Sequence, residues 1–585
     1  MSHRSLWNSG SRTFLIYFLL TILLTWPLAL HFTTCLPHGS GDVWQNLWTF
    51  WWWKKALIDL HQSPYETLYM FFPYGTPLIF HDHSAFNMIV SLPINIIFGP
   101  VAAYNFAIFL GFSMSGWGAY LLARELTGDA RGAFIAGLIF AFFPHHFEQT
   151  LEHPHLATIQ FLPLIALYTI RVLRLGRWQD AVFLGIVFGL NEISMLYYGV
   201  FALLFVPVIV LLELFFNSKA TRPYIVNLFV RLGIAGVVAA LVMAPFVWPL
   251  MREMAAGTPF LKVPENKGVD LVFLFLPSDH HPILGFLTEA YYRSHRSYTA
   301  VGFLSYVGYT PLLLSLAALP MVKKERQVVA WILIGLGFLI LSLGAHPFVG
   351  GEQIRMTFPH AFFESIPLLR TLRVANRFIV MTMLAIAVLS AWGLARLDRK
   401  RSWIFQVAVI LILFEYLWLP YPTQPVIFSP YFETLATDPE AGAVLDIPFA
   451  ADWRSQINLA YQTVHGRPIA DGYTAAVPRK QIEAILRDPV LSGLFGLYPR
   501  VPENIDMDHL RKLGFGTVVL HKNRTSEFLR EKSLMLEGAS YYERKEFFLE
   551  RGMPLIIWNT ISKLFKEQLG PPLFEDETVR VFRLR

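Results

Sequence analysis

The stretch Pro37-His38-Gly39-Ser40-Gly41-Asp42-Val43-Trp44-Gln45-Asn46-Leu47-Trp48 follows directly on the first long apolar run of the chain. It places one carboxylate, that of Asp42, at the predicted membrane surface, ahead of a helix-like face of tryptophans. Tryptophan rings prefer the headgroup level, which would fix the depth of this segment. A carboxylate there is costly unless it has a role. Two interpretations stay open: a carboxylate used in chemistry, or an ordinary polar loop beside an aromatic belt.

The composition is that of a membrane protein. Of 585 residues, 54% are hydrophobic and 15% are charged, and the mean hydropathy is +0.45. Several apolar runs of 18 or more residues predict many transmembrane helices. The formal charge of +6 is small for this length and lies mostly in short loops, so it indicates orientation and no nucleic-acid partner. The single cysteine, Cys35, excludes an internal disulfide framework and a cysteine-rich metal site.

The basic residues predict a consistent orientation. Arg4 and Arg12 place the N-terminus in the cytoplasm, ahead of an uncleaved first span that delivers Asp42 to the outer face of the inner membrane. The apolar runs and the basic residues at their ends predict about eleven spans along the chain, at roughly 13–30, 104–123, 132–143, 155–173, 181–196, 199–216, 223–250, 300–320, 328–343, 376–397 and 403–420.

Two segments fall outside these spans. We interpret residues 33–100 as one large outer loop with surface-lying or re-entrant helices, among them Ala85–Phe98. After the transmembrane domain 1–420, residues 421–585 alternate β-like runs (AVLDIP, GTVVLHK, VRVFRL) with polar helical stretches at Arg479–Leu486 and Ser526–Leu534. The predicted fold is therefore an α-helical polytopic membrane protein with a small extracytoplasmic C-terminal α/β domain.

Polar side chains concentrate in the outer segments. His81-Asp82-His83 follows Asp42 in the first outer loop, and Asp82 could assist Asp42 or cap a helix. A second loop carries His145, His146, Glu148, Glu152 and His155. Histidines and carboxylates together can hold a divalent cation, for which Asp42, His145 and Glu148 are the candidate ligands. The same side chains, with His81 and His83, could instead bind the hydroxyls of a substrate. A solvated loop is the third reading.

Three arginines lie at the predicted outer end of a span, against the usual preference of positive charge for the cytoplasmic side. In PLLRTLRVANRF, Arg370, Arg373 and Arg377 follow the spacing i, i+3, i+7, so a helix would present them on one face. Guanidinium groups at the lipid boundary suit a phosphate or diphosphate. Contact with lipid headgroups, or pairing with an outer carboxylate such as Glu364, are the alternatives. Arg293 is a weaker phosphate-binding candidate.

These features resemble the polytopic GT-C glycosyltransferases. Asp42 in GDVWQNLW occupies the position of their catalytic aspartate in the first outer loop, and His145–His155 matches their second acidic loop by location. The string NFAIFLGFSMSGWGAYLLARELTGDARGAFIAGLIFAFFPHH resembles the helix pair that follows in bacterial members. The layout is also similar to YfhO-like membrane proteins, and YQTVHGRPIADGY resembles a stretch of that group. The second loop lacks a clear aspartate, which departs from the family pattern.

The resemblance implies a chemistry. A sugar would pass from a polyprenyl-phosphate donor, whose phosphate lies by Arg373 and Arg377, to an extracytoplasmic glycan, lipid or protein acceptor. Asp42 would act as general base with inversion at the anomeric carbon, and Asp82 and Glu148 are further catalytic candidates. A transporter or flippase for lipid-linked sugars is the alternative, although no inverted repeat is evident. A non-catalytic assembly protein for envelope glycans is a third.

Overall fold

The computed structural model describes residues 3–39, 41–79, 81, 83–216, 221–255, 268–295, 304–366, 369–372, 374–398, 403–449, 455–475, 479–495, 502–522 and 555–584. The chain forms two compact units. The first, here called the helical unit, comprises residues 1–38, 83–93 and 102–424. The second, here called the sheet unit, comprises residues 39–82, 94–101 and 425–585.

The helical unit is built from apolar helices joined by short turns. Its α-helices are His3–Leu24, Ala85–Thr127 (of which 94–101 groups with the sheet unit), Ala130–Phe142, Pro144–Glu152, Phe161–Leu175, Trp178–Ser194, Leu196–Phe216, Arg222–Ala255, Gly285–His295, Tyr309–Ala317, Arg326–Ser342, Ala361–Ser365, Ile379–Asp398 and Trp403–Glu415. Its 3₁₀ turns are Leu28–His31, Leu271–Leu274, Leu319–Met321, Leu369–Leu372 and Ala375–Phe378. Its strands are the short ribbons Cys35–Pro37 with Thr423–Pro425, and Phe348–Val349 with Glu352–Gln353.

In the part of the chain that the structure describes, four helices are long and apolar enough to cross a membrane: Ala85–Thr127, Leu196–Phe215, Arg222–Glu253 and Ala375–Asp398. Shorter apolar helices accompany them at Gly10–Leu24, Tyr309–Met321, Arg326–Ser342 and Trp403–Glu415. This supports the predicted membrane location. Every predicted span overlaps a helix, and the number of helices that cross stays a prediction.

The segment Ala85–Phe98 is helical, and its placement at the membrane surface stays a prediction. Gly99 separates it from the rest of the helix that runs to Thr127, because its φ of 85° is easily reached only by glycine. Within the sheet unit, Asn95 Nδ2 donates to the carbonyl of Phe50 at 2.7 Å, which ties this stretch to the helix that begins at Asp42.

Small residues let neighbouring helices of the helical unit approach closely, as is common inside membranes. A Cβ atom added to Gly393 would lie 1.8 Å from the carbonyl oxygen of Leu314, and one added to Gly132 would lie 2.5 Å from that of Ala391. Gly137 faces Tyr17, whose hydroxyl donates to the carbonyl of Phe134 at 2.9 Å. These glycines therefore set the distances between helix axes.

Gly393→Ala tests this packing. The new methyl group meets the backbone of Leu314, so the helices must separate, and we expect a loss of about 1–3 kcal/mol in the free energy of unfolding. Gly337→Ala is the matched control, because a Cβ at Gly337 meets no atom within 4 Å and alanine favours the helix. Thermal unfolding in nanodiscs measures both variants, and equal melting temperatures would contradict the packing assignment.

The sheet unit has a four-stranded sheet. Ala443–Ile447 runs parallel to Phe515–His521. Phe515–His521 also pairs antiparallel with Val579–Arg583, and Val579–Arg583 pairs antiparallel with the edge strand Phe574–Glu575. The three main strands lie where the sequence predicts them, because their apolar side chains are buried on both sides. The helices of the unit are Asp42–Lys54, Tyr431–Thr437, Gln456–His465, Arg479–Arg487, Leu491–Leu494, Met507–Leu513 and Leu555–Leu569. The predicted helix Ser526–Leu534 lies outside the described residues.

Residues 39–82 are part of this unit. The helix Asp42–Lys54 continues in a wider turn, Lys55–Asp59, and precedes a hairpin of Glu66–Thr67 and Thr76–Pro77. The depth of its tryptophans in the membrane stays a prediction, but two of them are enclosed by protein. Trp48 and Trp52 are fully buried and stack at 5.5 Å between ring centroids, and their Nε1 groups donate to Gln462 Oε1 and the carbonyl of Pro64. The tryptophan face is thus part of a protein core.

Candidate active site

Asp42 lies in the first turn of its helix, after Gly41. Its Oδ1 accepts hydrogen bonds from Gln45 Nε2 at 2.9 Å and from Gln456 Nε2 at 2.6 Å. The arrangement therefore presents a partly exposed carboxylate whose position is fixed by hydrogen bonds.

The other predicted site residues of the first outer loop are His81, Asp82 and His83. His81 is buried, and its Nε2 lies 3.0 Å from Thr49 Oγ1, two turns along the helix from Asp42. Its ring also packs edge-on against Trp48, at 6.4 Å between centroids. His83 belongs to the helical unit and is partly exposed. Asp82 lies outside the described residues.

In the helical unit, His145 and Glu148 lie on one face of the helix Pro144–Glu152, as their spacing predicted. Both form hydrogen bonds with the backbone of Leu304. His145 Nδ1 donates to its carbonyl at 3.1 Å, and its N–H donates to Glu148 Oε2 at 3.2 Å. Burial lowers the pKa of His145 to about 3, although the hydrogen bond to Leu304 acts in the opposite direction. The ring is therefore neutral, and its proton lies on Nδ1, which donates to Leu304. The pair, 3.9 Å apart, thereby fixes the loop that begins at Leu304.

His146 is enclosed by backbone. Its Nδ1 lies 2.6 Å from the carbonyl oxygen of Ala141, and its Nε2 lies 2.9 Å from that of Ala157. Burial lowers the pKa of His146 to about 4, so the neutral ring has one N–H and donates to one carbonyl at a time. Both contacts join the helix that ends at Phe142 to the following loop, which is a structural role.

Glu152 and His155 lie at the end of this region. Glu152 is partly exposed and is the last residue of its helix, whereas His155 is buried with its ring 5.6 Å from that of His153. The turn after them is fixed by Asn87, whose Nδ2 donates to Thr158 Oγ1 at 2.8 Å. The substrate-binding assignments of His145, His146, Glu152 and His155 stay predictions.

Arg377 is the one predicted phosphate ligand with a well-defined environment. Its guanidinium lies over the ring of Tyr197, 5.0 Å from the centroid. The hydroxyl of Tyr197 donates to the carbonyl of Val374 at 2.9 Å and accepts from its N–H at 3.2 Å, so the ring and the Arg377 backbone are fixed together. Among the described residues, no carboxylate lies within ion-pair distance of Arg377. Its charge is also a minor cause of the lowered pKa of His145, after burial.

The other arginines differ from the sequence interpretation. The expected single helical face is wrong, because two short 3₁₀ turns, Leu369–Leu372 and Ala375–Phe378, are separated by Val374 in a non-helical conformation. The side chain of Arg370 and all of Arg373 lie outside the described residues. Arg293 is exposed and ion-paired with Glu289 one turn earlier on its helix. A surface pair of this kind is weak, and it occupies the guanidinium.

Sequence reasoning missed three contributors to these environments: Gln45, Gln456 and the hydroxyl of Tyr197. Gln45 carried a usable signal, since it lies three residues after Asp42 on a predicted helix. Gln456 carried none, because 414 residues separate it from Asp42. Tyr197 follows a polar interruption of an apolar run at Asn191-Glu192, a feature that marks functional positions in membranes.

The segment YQTVHGRPIADGY of the sheet unit is structural. Asp471 is fully buried and accepts from Ser455 Oγ at 2.7 Å, Asn458 Nδ2 at 2.7 Å and the N–H of Gly472 at 2.9 Å. His465 is buried beside Arg467, whose N–H donates to its Nδ1 at 3.1 Å. The loop therefore anchors the helix Gln456–His465.

Burial of His465 predicts an acid sensitivity. Burial lowers its pKa from 6.5 to about 4, so folding disfavours the proton and this stability is lost as pH falls from about 6.5 towards 4. Between pH 7 and 5 we expect the free energy of unfolding to fall by about 2 kcal/mol more in the wild type than in His465→Asn. Thermal unfolding at both pH values measures this, with His61→Asn, an exposed histidine of the same unit, as control. Parallel pH dependence of wild type and His465→Asn would contradict the assignment.

Comparison with known proteins gives a match in structure alone. No family model matches the chain, and no curated protein does. Among solved structures, the arabinofuranosyltransferase AftD from Mycobacteria matches with a TM-score of 0.57 at 15% identity, over 89% of this chain and 35% of AftD. This chain therefore spans about a third of the length of AftD.

Two further structures match at lower scores. The oligosaccharyltransferase of Archaeoglobus fulgidus has a TM-score of 0.48 at 15% identity, over 91% of this chain and 71% of its own. ArnT from Cupriavidus metallidurans, solved with undecaprenyl phosphate, has a TM-score of 0.49 at 9% identity, over 100% and 99%. The match to AftD carries the conclusion: the chain has the fold of the GT-C membrane glycosyltransferases.

Proposed function

We propose that this chain is a membrane glycosyltransferase that moves a sugar from a polyprenyl-phosphate donor to an acceptor hydroxyl outside the cytoplasm, with Asp42 as general base. The observation that carries the proposal is the carboxylate of Asp42, held in a helical first turn by two amide donors, in a chain of GT-C fold. Such a carboxylate is an acceptor only, which is what a base requires.

The proposed step is a single displacement. Asp42 takes the proton of the acceptor hydroxyl while its oxygen forms a bond to the anomeric carbon. The bond from that carbon to the phosphate oxygen breaks, and the lipid phosphate leaves with the electron pair, so configuration inverts. A positioned base contributes about 10²–10⁴-fold to such a rate. Arg377 neutralises the charge that develops on the leaving phosphate.

The environment of Arg377 supports this second assignment. A guanidinium that stacks on an aromatic ring keeps its N–H edge available for an anion. Since the described residues provide no carboxylate for Arg377, a phosphate would supply the missing negative charge. The weakly hydrated guanidinium also suits the lipid boundary better than a lysine would.

A lipid-linked donor agrees with an apolar groove in the helical unit. The groove has a volume of about 890 Å³ and is lined by the helices Trp178–Ser194, Leu196–Phe216 and Arg222–Ala255. Its walls are apolar, with Leu184, Phe188, Val206, Ala239, Met243 and Trp248 among them. We assign it to the hydrocarbon chain of the donor, for which apolar walls without charge are suitable. The sugar and the acceptor are left open, as is membership of the YfhO-like group.

Asp42→Asn is the direct test of the base. The amide keeps the size of the side chain but takes no proton, so we expect transfer from a radiolabelled polyprenyl-phosphate sugar to fall by about 10²–10⁴-fold with unchanged donor binding. Asp59→Asn is the matched control, since Asp59 only forms surface pairs with Lys54 and Lys55 at the end of the same helical segment. Transfer by Asp42→Asn at the wild-type rate would reject the assignment.

Arg377→Met tests the phosphate site. Methionine keeps an apolar contact with Tyr197 but removes the charge, so we expect the KM for the donor to rise about ten- to hundredfold. Arg396→Met is the control, because Arg396 is a solvent-exposed arginine of the helix Ile379–Asp398 that bonds a backbone carbonyl. An unchanged donor KM in Arg377→Met would place the phosphate elsewhere.

A further inference from the structure

The contact between Gln456 and Asp42 joins two distant parts of the sheet unit. Gln456 is 2% exposed and Gln45 is 4% exposed, so both amides are withdrawn from water. Their orientation is dictated by chemistry: an amide oxygen facing the carboxylate would repel it, so each side chain must present its NH₂ group. Both amides are therefore donors to Oδ1 of Asp42.

The two donors converge on one oxygen atom. A carboxylate oxygen offers two lone pairs, and the N–H groups of Gln45 and Gln456 take both at Oδ1. The two amides thus prevent the carboxylate from rotating.

Gln456 is itself rigidly held. It opens the helix Gln456–His465, whose first turn is anchored through Ser455 and Asn458 to the buried carboxylate of Asp471. Further along the helix, Gln462 accepts from Trp48 Nε1 at 2.6 Å and donates to the carbonyls of Tyr69 and Arg467 at 2.6 and 2.7 Å. Buried polar contacts therefore fix the helix at its first turn and near its C-terminal end.

We propose that Gln456 is a positioning residue for Asp42, so that the segment 455–472 of the C-terminal region completes the catalytic base. The inference rests on the proposed role of Asp42 as base. It assigns a part in the transfer step to a region that the sequence presents only as an appended domain.

A packing role makes a different prediction from a positioning role. Glutamate has the shape of glutamine but replaces the donor by an acceptor, whereas methionine is of similar length and has neither charge nor donor. If Gln456 only fills space, Gln456→Glu should be the milder change. If it donates to Asp42, glutamate sets a second carboxylate against the first and should be the worse change.

The experiment uses the full chain in nanodiscs, with a radiolabelled polyprenyl-phosphate sugar as donor and membranes of a strain lacking the chain as the source of acceptor. We expect kcat to fall about ten- to hundredfold in Gln456→Met and further in Gln456→Glu, with the donor KM unchanged in both. Gln45→Met removes the second donor and should also lower kcat. Gln568→Met, a change at an exposed glutamine of the same unit, is the control.

Each outcome separates the inference from the proposed function. An unchanged kcat in Gln456→Met, or a milder effect of Gln456→Glu than of Gln456→Met, overturns the positioning role while Asp42→Asn is still inactive. Absence of transfer by the wild type, or full activity of Asp42→Asn, overturns the proposed function itself. Melting temperatures of the variants identify any loss of kcat that merely follows unfolding, and Gln45→Met then decides the question independently.

Discussion

The hydrogen bonds from two buried amides to the carboxylate of Asp42 are the contact on which this account depends. A partly buried anion is expensive unless donors replace the water that it loses. Here Gln45 supplies one donor from the same helix, and Gln456 supplies the other from 414 residues away. Both of these donors are neutral amides, so neither forms an ion pair with the carboxylate.

Other buried polar groups of the protein are also held by hydrogen bonds. Asp471 is buried and accepts hydrogen bonds from a hydroxyl, an amide and a backbone N–H. In the helical unit, His145 and Glu148 use a neutral imidazole and a carboxylate to hold the backbone at Leu304. Arg377 is the exception, a guanidinium without a carboxylate partner in the described part of the chain. Its described contact is instead with the ring of Tyr197.

Local pattern predicted much of this fold. Long apolar runs marked the helices, short β-like runs marked the three main strands, and the spacing of His145 and Glu148 gave their shared face. Long-range pairing was not predictable, because nothing near Gln456 signals its partner Asp42. The burial of Trp48 and Trp52 was missed for the same reason, since their hydrogen-bond partners lie in other segments. At the break, Val374 forms hydrogen bonds with the hydroxyl of Tyr197, which no arginine spacing could reveal.

The protonation state of Asp42 is the most direct measure of the central claim. Isotope-edited infrared spectra of the full chain in nanodiscs, labelled with ¹³C at aspartate carboxyl groups, distinguish carboxylate from carboxylic acid. At neutral pH the account predicts that the Asp42→Asn change removes a carboxylate band and leaves the carboxylic acid region unaltered. Loss of a carboxylic acid band instead would show that Asp42 is protonated at rest and cannot be the base.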